Sequence, residues 1–347
     1  MQFENIEKVL KKFDEYKIDA FIVNNSSDLF YLTGENISDY WLVITEKDQV
    51  AFSNRMLFAQ VRENLGLKVV LCDNFNKLLK ELTDFLISKK IRNTGIDSCS
   101  ISTDLFQKIK KNSKIKLKML PEFIKKIREI KTEKEIELIK KSCEIAVKVL
   151  SIVKKDISPG VTENYIANKI YSLFCKMNVR PAFDIIVASG PNSGYPHHVT
   201  SDRIIKKNDI VLVDIGCKFN GYCSDLTRTF FLGKIKKLHK KIFDSVKNAQ
   251  KSAIREIRPE ARASMIDSLA RKIIKKSGFE KYFIHRTGHG VGIDIHEFPV
   301  ISKEVNTILK KGMVFTVEPG VYIPEFGGVR IEDTVLVTET GCEILTS

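Results

Sequence analysis

VLVDIGCKFNGYCSDLTRTF, residues 211–230, predicts a β-hairpin with acids on both arms. Val211, Leu212, Val213 and Ile215 are strand formers. Asn220-Gly221 is the pair a type I′ turn prefers, because both residues tolerate positive φ. That turn sets Phe219 opposite Tyr222 and Gly216 opposite Asp225. Asp214 then lies diagonal to Asp225 on one face, since residues two apart on a strand share a face. Two carboxylates held that close repel each other unless a cation, such as a divalent metal, neutralises them. Taken singly, each Asp reads as a solvated residue beside a turn.

The sequence downstream argues against that bland reading. RTGHGVGIDIHEFP (286–299) sets two histidines among glycines. In VFTVEPGVYIPEFGGVRIEDTVLV (314–337), Glu318 ends one β-rich run and Glu332 is expected inside another. Carboxylates within runs of Val, Ile and Phe are costly to bury unless paired or metal-bound. Two Asp, two Glu and His289 make an oxygen-rich donor set that suits a pair of first-row divalent ions.

Length and composition set the bounds. A chain of 347 residues with 43% hydrophobic content exceeds one small domain and fits two globular ones. No apolar run approaches the roughly 20 residues a membrane span needs. MQFENIEKVLKKFDEYKIDA (1–20) is amphipathic and acidic from the start, unlike a signal peptide, so the expected location is the cytoplasm. The seven cysteines are scattered without a C-x-x-C, so neither a disulfide framework nor a zinc ribbon is indicated. Cys217 and Cys223 point to opposite faces of the expected hairpin and should stay reduced. The net charge of +14 comes mostly from lysines at 108–118, 234–241 and 310–311. Such charge attracts nucleic acid. These clusters carry no interleaved aromatics and no nucleic-acid motif, so they read as solvated faces and nucleic-acid binding is the lesser expectation.

Along the chain, residues 1–120 predict a small α/β domain of helices alternating with strands. Expected helices are 3–17, the stretch SSDLFYLTG (26–34) capped by Ser26 or Ser27, 55–64, 75–88 and 102–110. Expected strands are 20–24, a hairpin over 41–53, 67–72, one near Gly95, and 114–119. Trp41 is expected in the core or an interface. Pro121 opens a different texture, with helices over 122–150 broken near Lys131-Thr132, where Thr132 and Glu135 form a capping box. Helix 163–177 follows, then FDIIVASGPNSGYPHH (183–198), the acidic hairpin, and helices 236–257 and 263–277. From about 155 onward, helices followed by acid-bearing strands occur twice, which suggests a pseudo-repeat without visible identity between the halves.

Five of the six histidines, His197, His198, His285, His289 and His296, fall in loops or strand ends beside the acids. A lone histidine is more often structural than catalytic, but five at one expected cleft reverse that for the group. His198 reads as a neighbour of a functional His197. His239, in KIKKLHKK, reads as solvated.

These residues resemble the pita-bread metallopeptidases, specifically the Xaa-Pro branch of aminopeptidase P and prolidase. The motifs are VASGPNSGYPHH, LVDIGCKFNGYCSDLTRTF, HRTGHGVGIDIHEFP, TVEPGVYIPEFGG and VRIEDTVLV, covering most of 183–337. The resemblance implies an α/β (α+β) chain, with a catalytic pita-bread domain of pseudo-twofold design over 121–347. A creatinase/prolidase-like α/β domain would cover 1–120. It implies Asp214, Asp225, His289, Glu318 and Glu332 as ligands of two metal ions. Mn2+ is the first expectation, with Co2+, Fe2+ or Zn2+ as others. It places His197, His285 and His296 around the substrate, with Arg330 and Tyr322 in support. Tyr195 and FSNRMLFAQ (52–60) depart from the branch's usual pattern.

The expected chemistry is two-metal hydrolysis, in which ions roughly 3.5–4 Å apart share a water and lower its pKa. Asp225 and Glu332 would bridge the ions, Asp214 would serve one ion, and His289 and Glu318 the other. Glu318 would also move the proton to the leaving amine, while His197 and His296 would donate to the carbonyl oxygen. The main expectation is an Xaa-Pro aminopeptidase cutting before a proline in second position. The alternative is an Xaa-Pro dipeptidase, and a remote one is a non-catalytic peptide-binding or nucleic-acid-associated module. A homodimer is the expected assembly.

Overall fold

The computed structural model describes residues 2–112 and 116–347. The chain forms two compact units, Met1–Arg128 and Glu129–Ser347.

The first unit carries helices α1 (Gln2–Leu10), α2 (Phe13–Tyr16), α3 (Ser26–Thr33), α4 (Phe58–Leu65), α5 (Phe75–Ser88), α6 (Thr103–Asn112) and α7 (Phe123–Ile127). Its strands are β1 (Ala20–Val23), β2 (Tyr40–Thr45), β3 (Gln49–Ser53), β4 (Lys68–Leu71), β5 (Asn93–Ile96) and β6 (Lys116–Met119). They form one mixed sheet in the order β4-β3-β2-β1-β5-β6. Residues 114 and 115 of the strand expected at 114–119 lie outside the described residues. The helix expected over 3–17 breaks at Lys11-Lys12, and Lys17 closes its second piece in the left-handed region at φ 49°. Asn25, not Ser26 or Ser27, caps α3: its side chain accepts from the amides of Ser27 and Asp28. Asn and Ser cap about equally well, so composition alone did not separate them. Gly34 ends α3 at φ 75° as expected. Trp41 packs in the core with Phe52, Leu79 and Leu82.

The second unit adds helices α8 (Glu133–Val153), α9 (Glu163–Lys176), α10 (Lys237–Arg255) and α11 (Ala263–Lys276). The strands of its first half are β7 (Arg180–Pro181), β8 (Ile186–Ser189), β9 (Ile210–Ile215), β10 (Cys217–Phe219), β11 (Tyr222–Cys223) and β12 (Leu226–Phe231). Those of the second half are β13 (Gly288–Gly290), β14 (Glu297–Ile301), β15 (Val314–Val317), β16 (Gly320–Ile323), β17 (Gly327–Arg330), β18 (Asp333–Val337) and β19 (Cys342–Ile344). The first half builds sheets β12-β9-β8 and β11-β10-β7, and the second builds β14-β13-β15-β18-β19 and the hairpin β16-β17. Each half has its own apolar core, one under α8 and α9, the other under α10 and α11.

The repeat is closer than the sequence suggested. α9 and α11 each have 14 residues and start at 163 and 263. Ile157 and Pro159 precede the first as Ile257 and Pro259 precede the second. Thr162 bridges Ile204, and Arg262 bridges Ile308. The matched positions are few and embedded in dissimilar polar residues, which hid them.

The capping box forms as expected, with Glu135 N–H donating to Thr132 Oγ1 at 3.3 Å and Thr132 N–H to Glu135 Oε2 at 2.9 Å. Glu135 also takes the Tyr222 hydroxyl at 3.2 Å, and Ser142 donates to the Cys217 carbonyl at 2.8 Å. The start of α8 thus fixes the hairpin turn. Among the described residues no helix is long and apolar enough to cross a membrane. All seven cysteines are free.

Candidate metal centre

The hairpin forms in the expected register. Asn220 and Gly221 take φ 45° and 87°, and Phe219 faces Tyr222. After a break the ladder resumes with Leu226 opposite Ile215 and Thr227 opposite Asp214. The break is a close crossing: a Cβ on Gly216 would sit 2.0 Å from the Ser224 carbonyl oxygen. Asp225 lies at this break, diagonal to Asp214. Cys217 and Cys223 bond different partners, Ser142 and the Ile293 carbonyl.

His289 enters from β13. Its flanking glycines are needed because a Cβ would fall 1.9 Å from the Thr316 carbonyl at Gly288 and 2.1 Å from that of Phe298 at Gly290. Glu318 follows β15; its N–H donates to the Thr287 carbonyl, and its Oε1 accepts from Thr316 Oγ1 at 3.1 Å. Glu332 does not sit inside a strand as expected; it occupies the step between β17 and β18. Ladder bonds do not hold it there. Its N–H donates to the Thr227 carbonyl, its Oε2 accepts from Thr227 Oγ1 at 2.6 Å, and its own carbonyl accepts from Arg228.

These elements bring the five predicted ligands together. One donor atom each from Asp225, His289 and Glu332 lies within 4.8 Å of the others. His289 Nε2 stands 3.6 Å from Asp225 Oδ2 and 3.3 Å from Glu318 Oε1. Asp214 Oδ2 takes a 2.5 Å bond from Arg330, while its buried Oδ1 has no hydrogen-bond partner.

The cluster fits divalent ions. His289 Nδ1 faces the Gly290 carbonyl at 3.2 Å, an oxygen that only accepts, so Nδ1 carries the proton. The Nε2 lone pair is then left facing carboxylate oxygens, which is repulsive unless a cation intervenes. Burial holds His289 below its ordinary range, which disfavours filling that role with a proton. Burial and then the charge of Glu332 push Asp225 well up, and burial and then Glu318 do the same to Glu332. Burial, opposed by Arg330, leaves Glu318 at about 7. Four carboxylates around one guanidinium lack positive charge. Carboxylate and imidazole donors without thiolate suit Mn, Fe, Co or Zn.

A polar chain runs behind the acids. Arg330 reaches from Asp214 to the Tyr322 hydroxyl at 2.9 Å, and Tyr322 meets His285 Nε2 at 2.9 Å. His285 Nδ1 faces the Arg286 carbonyl at 2.7 Å, so Tyr322 donates to Nε2. Burial, helped by Arg330, lowers His285 to about 3, and burial raises Tyr322 to about 12. The His296 ring lies edge-on to His289 with centroids 4.3 Å apart. His197 is exposed at the rim, near enough for its charge to lower the titration of both Glu318 and His285.

His198, expected as a neighbour of His197, turns from the acids of the cluster and bonds Glu163 at 2.9 Å. One histidine departs from expectation. His239 is not solvated: it is 4% exposed, and its ring lies 4.4 Å from that of Phe326. It shares the apolar face of α10 with Ile242 and Val246, at helical spacings of three and seven. Glu163 and Thr227 carry structural work that the sequence reading missed. Glu163 was legible only as the first helical residue after a Thr cap.

The chain matches the model of metallopeptidase family M24 over residues 137–339 and that of the creatinase/prolidase N-terminal domain over 5–130. A protein named Xaa-Pro dipeptidase from Pyrococcus furiosus is 39% identical over 347 residues, 99% of this chain and 97% of that one. The solved structure of an Xaa-Pro dipeptidase from Bacillus anthracis matches with a TM-score of 0.95 at 32% identity, covering 100% of this chain and 98% of that one. An X-Pro aminopeptidase from Thermotoga maritima matches with a TM-score of 0.87 at 30% identity, over 95% of this chain and 96% of that one.

Proposed function

The chain belongs to metallopeptidase family M24, and on that premise we propose that it is an Xaa-Pro dipeptidase, a hydrolase that releases proline from dipeptides. The sequence alone favours the aminopeptidase, with the dipeptidase as its alternative. The full-length likeness to a Pyrococcus protein named as a dipeptidase favours the second reading instead. The observation that carries the hydrolase reading is the meeting of Asp225, His289 and Glu332 donor atoms within 4.8 Å, with Glu318 beside them.

In this proposal Asp214, Asp225, His289, Glu318 and Glu332 hold two divalent ions, Mn2+ first among them. When bound, such ions acidify water and polarise the scissile carbonyl. Glu318, 3.3 Å from His289 Nε2, carries a proton from the attacking water to the leaving nitrogen of proline. His197 and His296 donate to the carbonyl oxygen as it gains charge. Arg330 keeps Asp214 oriented, and through Tyr322 it keeps His285 neutral and fixed. A proline nitrogen forms a tertiary amide without an N–H, and its ring is recognised by shape between the half-buried His285 and the exposed His296.

The test is an assay of Xaa-Pro dipeptides against Xaa-Pro-Yaa tripeptides, with Mn2+, Co2+, Fe2+ and Zn2+ added in turn. Cleavage of dipeptides alone supports the proposal, and equal cleavage of tripeptides restores the aminopeptidase. Metal analysis should find close to two ions per chain. A folded chain that retains none after reconstitution would sink the dinuclear site. A homodimer is proposed because the first unit contributes no proposed site residue, and light scattering of a fully active monomer would refute it. Seven free thiols support a reducing compartment such as the cytoplasm.

A further inference from the structure

Glu163 is the first residue of α9 and is 0% exposed. A buried carboxylate is costly unless its oxygens are hydrogen-bonded. Here they are satisfied, and from one direction. Oε1 accepts from the N–H and the hydroxyl of Ser189, both at 2.7 Å, and from the Asn192 amide at 3.0 Å. Oε2 accepts from the Ser201 hydroxyl at 2.6 Å and N–H at 3.2 Å, and from His198 Nε2 at 2.9 Å. These donors all lie in the loop between Ser189 and Ser201. The helix itself does not need this carboxylate, because Thr162 already caps it by accepting from the Tyr165 N–H.

His197 sits at the tip of that loop, exposed, with no hydrogen bond of its own among the described residues. Its neighbours hold it. On one side the Pro196 carbonyl accepts from Arg330 at 3.3 Å. On the other, His198 is fastened to Glu163. Two fixed points one residue away on either side leave the His197 backbone little freedom, which sets where its imidazole starts relative to the acids.

We propose that Glu163, acting through His198, is a positioning residue that holds the His197 imidazole toward the reacting carbonyl. The inference rests on the peptidase reading, in which His197 donates to that oxygen. Glu163 never touches substrate. It turns the second histidine of the pair from a bystander into an anchor. A donor that is displaced by an ångström loses most of its effect on a developing charge.

The experiment uses the full chain reconstituted with Mn2+ and an Ala-Pro substrate. It compares the parent with Glu163→Gln, His198→Ala, His197→Ala and the double variant Glu163→Gln/His197→Ala. The amide of Glu163→Gln presents N–H groups to a loop that offers donors. Both Glu163→Gln and His198→Ala should lose about 10- to 100-fold in kcat, with KM within about threefold and metal content unchanged. The double variant should be no slower than His197→Ala alone, since a residue acting only through His197 adds nothing once the ring is gone. In the metal-free protein, the His197 ring resonance, assigned by its loss in His197→Ala, should move toward that of free imidazole in both anchor variants.

Unchanged kcat per folded molecule, multiplying losses in the double variant, or an unmoved resonance would each overturn the proposal. Should Glu163→Gln not fold, His198→Ala carries the test, because it leaves the Glu163 bonds from Ser189, Asn192 and Ser201 in place. A parent inactive on every Xaa-Pro substrate fails the peptidase reading itself. A parent active on Ala-Pro, with His197→Ala slow and both anchor variants fast, fails this inference alone.

Discussion

Thr227 joins the two halves of the site with one hydroxyl. It faces Asp214 in the hairpin, donates to Glu332 Oε2 at 2.6 Å and accepts from Arg330 Nε at 2.9 Å. Thr227→Val keeps the volume and strands both partners. It should cost about 1–3 kcal/mol in urea unfolding of the metal-free protein and about 10- to 100-fold in Mn2+ affinity by titration. A variant matching the parent in both would show that the hydroxyl is idle. Metal and histidine roles separate in a second pair. Asp225→Asn keeps shape but removes one negative charge, so metal content and activity should fall together. His197→Ala should keep its metal and lose about 10²–10³ in kcat. If it sheds the metal instead, His197 belongs among the ligands. The acids were legible because a carboxylate within a run of Val and Ile is too costly to bury without a cation or donors around it. Thr227 was not, because a threonine in a strand is ordinary and its value lies in a contact 105 positions away.

The second helix of each half plants a buried acid beneath a histidine-bearing loop. Glu163 on α9 gathers 189–201, and Asp267 on α11 takes the Thr287 hydroxyl at 2.7 Å and Arg271 at 2.7 Å. Arg271 then holds the carbonyls of Phe283 and His285. Burial alone would raise Glu163, but hydrogen bonds from Ser201, Ser189 and His198 outweigh it and hold the carboxyl below its ordinary 4.5. A carboxyl lowered on folding contributes stability that is present above the unfolded value and lost as pH falls through the folded one. The parent's melting temperature should therefore drop on acidification below about pH 4.5, with a share of that drop absent in Glu163→Gln. Calorimetry between pH 3 and 6 checks this, and parallel curves would remove Glu163 as a source. Periodicity and turn chemistry made most elements legible, including the Asn220-Gly221 turn and the Thr132 cap. The break at Lys11-Lys12 was not, because the apolar spacing runs through it and it shows only as a turn between the two pieces.

The whole chain carries a net charge of +14, yet its centre is short of positive charge. The lysines at 234–241 are exposed, while Asp214, Asp225 and Glu332 are buried around Arg330. Folding without metal therefore stores a penalty, and its pH dependence has a definite sign. Burial, opposed by Arg330, holds Glu318 near 7, above the ordinary carboxylate value of 4.5, and burial also raises Asp225 and Glu332 well above theirs. A carboxyl raised on folding keeps its stabilising proton below the unfolded value and loses that contribution as pH rises through the folded one. The metal-free melting temperature should thus fall between pH 6 and pH 8. Divalent ions require the deprotonated ligands, so their affinity rises over the same interval. Because a ligand that binds only the native state stabilises it by RT ln(1 + [L]/Kd), the increment in melting temperature from saturating Mn2+ should be larger at pH 8 than at pH 6. Scans with and without metal at the two pH values give four temperatures. An increment that is equal at both, or larger at pH 6, would mean the acids are already neutralised by some other route and would remove the electrostatic case for the ions.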